Sequence, residues 1–234
     1  MGMLVIILTG DRLSPTGGEM KTRGLNLLDW QVRAVLDGRK TRHTVPVNPQ
    51  PDFDETKYEH SFWMPDYDVP SDWIFMHRRA NGIIYPLDGS AIECPFGVVG
   101  DRLWVRETYT TAERIWDGDS CRSFMVPGIV RGGSFFRYRA DGEIDDARWR
   151  PSIHMPRWAS RITLEITKVK VERVNDITRD DAIAEGCCAF EDNAGWYGPE
   201  VALAALWDSI YAKRGFGWDS NPWVWVIEFR RVEQ

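Results

Sequence analysis

RITLEITKVKVERV, residues 161–174, decides how the rest of the chain is read. Ile162, Leu164 and Ile166 alternate in one phase, after which Val169 and Val171 alternate in the other. Successive strand side chains point to opposite faces, so such a slip calls for an extra residue held in a bulge. The segment therefore predicts one long strand with a bend, of the kind that turns the corners of small barrels.

Working outward, GVVGDRLWVRET (97–108) opens with a Gly-Asp turn and continues as a strand, with Leu103 and Val105 on one face and Trp104 and Arg106 on the other. SFFRYRA (134–140) reads as a further short strand. WVWVIEF (223–229) is apolar on both faces at first, which places it inside a sheet rather than at its edge. Three helices accompany these strands. The first spans 27–37 on the stripe Leu28, Val32, Val35 and Leu36, with Gly38 suited to the left-handed residue after its end. The second, in DITRDDAIAEG (176–186), has Thr178 as N-cap, Asp181 completing a capping box, an Ile177–Ala182 staple and Gly186 as its stop. The third, 199–214, starts with Pro199 at N1, buries Leu203, Leu206, Trp207, Ile210 and Tyr211, and stops at Gly215. Two stretches, about 46–95 and 112–155, are rich in Pro, Gly, Asp and aromatic residues without a sustained period and read as loop-rich insertions.

The fold class expected is thus α+β: a small β-barrel with flanking helices in a single domain over 20–234. Residues 1–19 lack a structural period and read as a dispensable leader, with GGEMKTR (17–23) consistent with translation beginning at Met20 rather than Met1. MLVIIL (3–8) is too short to cross a bilayer, so no membrane partner is expected and the chain is read as cytoplasmic.

A net charge of −6 and a pI near 5.3 exclude a protein that coats nucleic acid through a broad basic surface, leaving only local contacts. Four cysteines without CxxC spacing and four scattered histidines give no zinc pattern; neither a metal nor a cofactor is expected. Most of the twelve tryptophans, Trp218, Trp223 and Trp225 among them, are assigned to packing rather than to base stacking.

The chemistry concentrates in DGRKTRHT (37–44), which sets four bases behind a helix end. Taken alone, Arg39, Lys40 and Arg42 read as a solvated basic loop. Glu185 is the one residue that local physics leaves unexplained, because a carboxylate in the last turn of a helix opposes the helix dipole and needs a positive partner.

A helix ending in GRKT, a strand opened by GDRLWVRE, a bent strand, the helix DITRDDAIAEG and an apolar final strand together resemble the ASCH family, a relative of the PUA domain. VRAVLDGRKT, CPFGVVGDRLWVRET, PSIHMPRWASRI and LWDSIYAKRGFGWDSNPWVWVIEF are most similar to the larger ASCH-domain proteins of tailed phages and prophages. The resemblance implies a PUA-like barrel with a cleft for RNA, a nucleotide or a nucleoside. Members that hydrolyse acylated cytidine carry Gly-x-Lys-x-x-Thr-x-Arg, with Lys, Thr and a later Glu catalytic. By position, Lys40 and Glu185 match the Lys and Glu, His43 stands where the Thr belongs and Val45 where the Arg does; Thr41 and Thr44 flank without the spacing.

The candidate catalytic set is therefore Lys40, His43 and Glu185. The candidate ligand-binding set is Arg39, Lys40, Thr41, Arg42, Trp104, Arg106, Glu107, His154 and Arg157, the last two in a basic and aromatic run suited to a phosphate and a base. Arg106 and Glu107 either pair with each other at the strand end or face the cleft. Binding without turnover is the leading function. A hydrolase, either an amidohydrolase of acylated nucleosides or a ribonuclease, and an interaction factor for a phage or host protein are the alternatives.

Overall fold

A computed structural model describes residues 20–51, 60–65, 72–78, 84–86, 92–112, 129–131, 134–143, 148–192 and 195–232. The expected leader, 1–19, lies outside the described residues. The main sheet has five strands, numbered here within that sheet in chain order: β1 (Thr22–Asn26), β2 (Arg42–Pro46), β3 (Arg102–Arg106), β4 (Thr163–Arg173) and β5 (Trp223–Val232). Their spatial order is β1-β3-β4-β5-β2, with β1 and β3 parallel and the other neighbours antiparallel. The class is α+β. Among the described residues β1 and β2 are the two edges of an open sheet, not neighbours in a closed barrel.

The phase slip in 161–174 is a register shift between Ile166 and Lys168 on the ladder with β5, so Thr167 is the extra residue. Before it, Leu164 and Ile166 enter the core; after it, Val169 and Val171 pack against that same core. β5 is buried on both faces, as its unbroken apolar run predicts: Trp223, Trp225, Ile227 and Phe229 join one core, while Val224 and Val226 join the other.

Helix α1 (Asp29–Leu36) connects β1 to β2 and buries Val32, Ala34 and Val35. Leu28 is not part of its stripe: it is the exposed N-cap, its N–H donating to Gln31 Oε1 at 3.0 Å. Helices α2 (Arg179–Ala184) and α3 (Pro199–Tyr211) cover the β5/β2 half of one sheet face through Ala182, Leu203 and Trp207. Leu206, Ile210 and Tyr211 are only half-buried, so the α3 stripe is narrower than expected. No described helix is long and apolar enough to cross a membrane.

The stretch 46–95 is richer in strands than its sequence suggests. His60–Pro65, Asp72–Arg78 and Ile84–Pro86 form an antiparallel sheet, and Ile92–Glu93 also pairs with the middle strand. Pro46, Pro65, Asp72 and Pro86 stand at strand ends. In the second stretch, Tyr109–Ala112, Ile129–Arg131 and Ser134–Tyr138 form a three-stranded sheet with Ser134–Tyr138 in the middle. Tyr109, Phe136, Tyr138, Met155 and Ala159 make a small core beneath it.

Candidate functional site

The turn after α1 and the end of α2 meet at Lys40. Gly38, at φ 75°, reverses the chain, and the N–H groups of Arg39 and Lys40 both donate to Ala34 O, at 2.8 and 2.9 Å. Gly186, at φ 91°, ends α2 against this turn: a Cβ there would stand 2.9 Å from Ala34 Cβ and 3.4 Å from Lys40 Cβ. Backbone conformation and close approach both require glycine at 186.

Lys40 is buried to the tip, with 0% of its side chain exposed against 5% for Glu185. Its Nζ donates to Glu185 Oε2 at 2.6 Å, Glu185 O at 2.9 Å and Arg42 O at 2.6 Å. An ammonium has three N–H donors, and all three are used. Glu185 thereby gains the cation that its place at the helix end demands. Its other oxygen, Oε1, accepts the Thr44 hydroxyl. Burial pushes the Glu185 carboxyl upward, but the Lys40 charge, the His43 ring and the Lys40 and Thr44 hydrogen bonds outweigh it and hold the group below the usual carboxylate range.

Strand alternation divides the DGRKTRHT cluster. Arg42 and Thr44 point toward α2, where Arg42 grips Asp181 and Glu172 and lies 3.9 Å from Glu185. Arg42 is fully enclosed by carboxylates, not presented to a ligand. His43, register partner of Ile227, points to the other face, its ring edge-on to Phe96 with centroids 6.0 Å apart. Its Nδ1 is buried without a hydrogen-bond partner. Burial, then the Lys40 charge, lower its pKa to about 4 against a smaller opposing pull from Glu185, so the ring is neutral. Thr44 occupies the side toward Glu185 that the resemblance implies for a hydroxyl, one residue later than its spacing predicts. Thr41 is exposed and tied by its backbone to Ala184 and Phe229.

Beside the network lies a cleft of about 460 Å³ lined by Trp30, Arg33, Asp37, Arg39, Gly186, Cys187, Cys188, Ala202 and Leu206. Arg39 is exposed at its rim, bonded to Asp37 at 3.1 Å and within 3.6 Å of Cys188 Sγ. Cys187 is held as a thiol, its pKa pushed to about 11 by burial and by the Glu185 charge.

No protein-family model, curated protein or solved structure matches this chain.

The remaining candidates gather elsewhere. Arg106 neither pairs with Glu107 nor joins Lys40. Alternation sets it on the outer face of β3, its guanidinium 4.5 Å from the Trp104 ring centroid. Glu107 turns inward as the strand ends, 0% exposed, and takes Arg161 in a two-pronged ion pair at 2.8 and 2.9 Å. The expected cleft of Lys40, His43, Arg106 and Glu185 is thus not one space. β4 and β5 stand between β3 and β2. His154 is exposed and contributes its carbonyl to Tyr109 OH at 3.1 Å, whereas Arg157 is exposed and lines a separate pocket with Trp104.

Sequence reasoning missed Trp30 and Arg33 as cleft residues and Asp181 and Glu172 as partners of Arg42. For Trp30 a signal was present: it falls outside the apolar stripe of α1. For Glu172 there was none, since its meeting with Arg42 depends on the order of strands in the sheet.

Proposed function

We propose that this chain is a cytoplasmic ASCH-type protein of PUA-like ancestry that binds a nucleotide, a nucleoside or an RNA end in the cleft beside the GRKT turn, without turning it over. The order of motifs along the chain supports the ASCH assignment, the bent β4 corresponding to a barrel corner in a sheet left open. The observation that carries binding over catalysis is the saturation of Lys40. A lysine that takes a proton from a hydroxyl nucleophile must offer a lone pair, and here all three positions on Nζ are occupied by N–H bonds to fixed acceptors. The cleft alongside has the size and mixed lining of a small-ligand site. Trp30 offers an aromatic wall, while Arg33 and Arg39 offer cations for a phosphate or a base edge.

The contact of the Thr44 hydroxyl with Glu185 is the observation that favours a hydrolase as second reading. One experiment separates the two. Ribonucleoside monophosphates are titrated by calorimetry into wild type and Arg39→Ala, and N4-acetylcytidine is incubated with the same proteins. Binding weakened in Arg39→Ala with no release of acetate supports the binding reading. Acetate release abolished by Thr44→Val replaces it with the hydrolase, and absence of both binding and release refutes a nucleotide site at the cleft.

A further inference from the structure

Among the described residues, no helix covers the same face of the sheet over β1 and β3 as α2 and α3 do over β5 and β2. Leu103 and Val105 go into the core, so Arg102, Trp104 and Arg106 form the outer row of β3. Their register partners on β1 are Thr22, Gly24 and Asn26. The small side chains of β1 leave the arginines and the indole standing above their neighbours. Gly24 makes the most room: a Cβ there would lie 2.7–2.8 Å from the Arg106 guanidinium, which stands beside the Trp104 ring with its Cζ 4.5 Å from the ring centroid.

A second wall comes from the turn at 157–160. Arg157, Trp158 and Ser160 close a pocket of about 580 Å³ with Met20, Thr22, Arg102, Trp104 and Thr163. Trp158 is 51% exposed while its ring stands edge-on to Phe136, centroids 5.0 Å apart, a large exposed surface for an indole.

Arg23, Arg42, Arg161 and Arg230 each hold a carboxylate. Among the described residues, Arg102, Arg106 and Arg157 hold none. For Arg102 the reason is visible. Glu165 is its cross-strand neighbour on β4, but Glu165 is also opposite Arg230 on β5 and bonds Arg230 at 2.8 Å. Arg102 Nε and Arg106 Nε are moreover buried without an acceptor. Three unpaired guanidinium groups around two tryptophans, on a protein of net charge −6, form a local positive field.

We infer that this face is a second binding site, independent of the GRKT cleft, for a short run of single-stranded nucleic acid. Phosphates sit on Arg102 and Arg157, one base stacks on the Arg106–Trp104 pair and the next on Trp158. The chemistry selects this ligand. Planar aromatic and guanidinium surfaces accept any base, and a guanidinium pairs with phosphate oxygens through two parallel N–H bonds. A duplex presents its phosphates but hides the faces of its bases.

The test is fluorescence anisotropy of labelled oligouridylate and oligothymidylate of about eight nucleotides, within the range of site sizes known for such grooves, titrated across salt. Wild type is expected to bind with a logarithmic salt slope of about −1.4, two phosphate contacts at about 0.7 each. Arg102→Gln/Arg157→Gln is expected to bind at least ten-fold more weakly, with the slope reduced by about 1.4. Trp104→Ala is expected to weaken binding by about ten-fold with the slope unchanged. Gly24→Val, which displaces only the flexible end of Arg106, is expected to weaken binding several-fold at an unaltered thermal midpoint, so that a misfolded variant does not obscure the reading.

An oligonucleotide that does not bind, or that Arg39→Ala releases while Arg102→Gln/Arg157→Gln does not, overturns the inference; the latter result places the strand in the GRKT cleft. Equal affinity for a duplex overturns the stacked geometry. Self-association lost in Trp104→Ala, with no oligonucleotide bound, assigns the face to a second copy of the chain and equally overturns it.

Discussion

Replacing Lys40 by Met keeps the length of the side chain and deletes its charge and its three donated hydrogen bonds. What remains is a Glu185 carboxylate with 5% of its side chain exposed, bonded by the Thr44 hydroxyl, with the Arg42 guanidinium 3.9 Å away but already engaged by Asp181 and Glu172. Removing one partner of a buried ion pair costs about 3–5 kcal/mol, because the surviving charge is stranded in a poor solvent. Adding Glu185→Leu removes that stranded charge. Two carbonyls then lack a donor, while the Thr44 hydroxyl still accepts from Arg42 Nε at 3.4 Å, which leaves the double variant about 1–3 kcal/mol below wild type, less than the two single losses combined. The pH dependence carries a further signature. In wild type the Glu185 pKa is lowered, so its contribution is present above the ordinary carboxylate range and is lost as pH falls through the lowered folded value. Without Lys40 the largest influence on Glu185 is burial, which raises its pKa; its ionisation then opposes folding, increasingly so as pH rises. The deficit of Lys40→Met is therefore largest near neutrality and shrinks toward pH 4. Urea unfolding followed by tryptophan fluorescence at several pH values measures it. A deficit below about 1 kcal/mol that does not vary with pH would show the pair to behave as an exposed one and refute the reasoning.

His43 gives a second pH-dependent contribution. Its folded pKa is lowered to about 4, so the unfolded chain takes up a proton below its ordinary value near 6.5 while the native ring does not, and stability falls across that window by up to about 3 kcal/mol. His43→Asn should flatten that part of the stability profile in the same urea series, and an unchanged profile would show the ring to be solvated. Gly186→Ala combines a left-handed backbone with a 2.9 Å approach to Ala34 and is expected to lower stability by about 1–3 kcal/mol, read as a drop in melting temperature. Thr178→Ala removes the N-cap of α2 and should cost about 1 kcal/mol, checked by the same melt.

Much of the frame was legible because it is written in local rules. The Thr178–Asp181 box, the Gly186 stop and the misplaced charge of Glu185 all lie within one helix, and the last of these called for the cation that Lys40 supplies. The slip from Ile166 to Val169 announced the bulge without knowledge of any partner strand. What the sequence concealed depends on pairing across long separations. Alternation in RHTVP shows that Arg42 and Thr44 share a face and His43 does not, but which face meets α2 follows from the ladder with β5. The same holds for Glu107, whose partner Arg161 is distant in sequence and arrives through the β3–β4 pairing. The strands in 46–95 were hidden for another reason: they are short, and frequent Pro and Asp residues mask the period. The placement of β1 and β2 at opposite edges of the described sheet, where a closed ring was expected, was equally beyond local reading.

β5 lies between β4 and β2, yet it is the last strand of the sheet to be synthesised. His43 faces Ile227 across the ladder, so β2 emerges from the ribosome long before β5, its one neighbour among the described strands, exists. At bacterial to eukaryotic elongation rates of about 5–20 residues per second, that interval is roughly ten to forty seconds. Throughout it, the apolar side chains destined to rest on β5 from both sides have nothing to close against, and the exposed edge of β2 can be taken by another nascent chain. Joining the two halves of the sheet is therefore a late event in the life of each molecule, and helper proteins that shield strand edges during translation have their longest opportunity at 42–46.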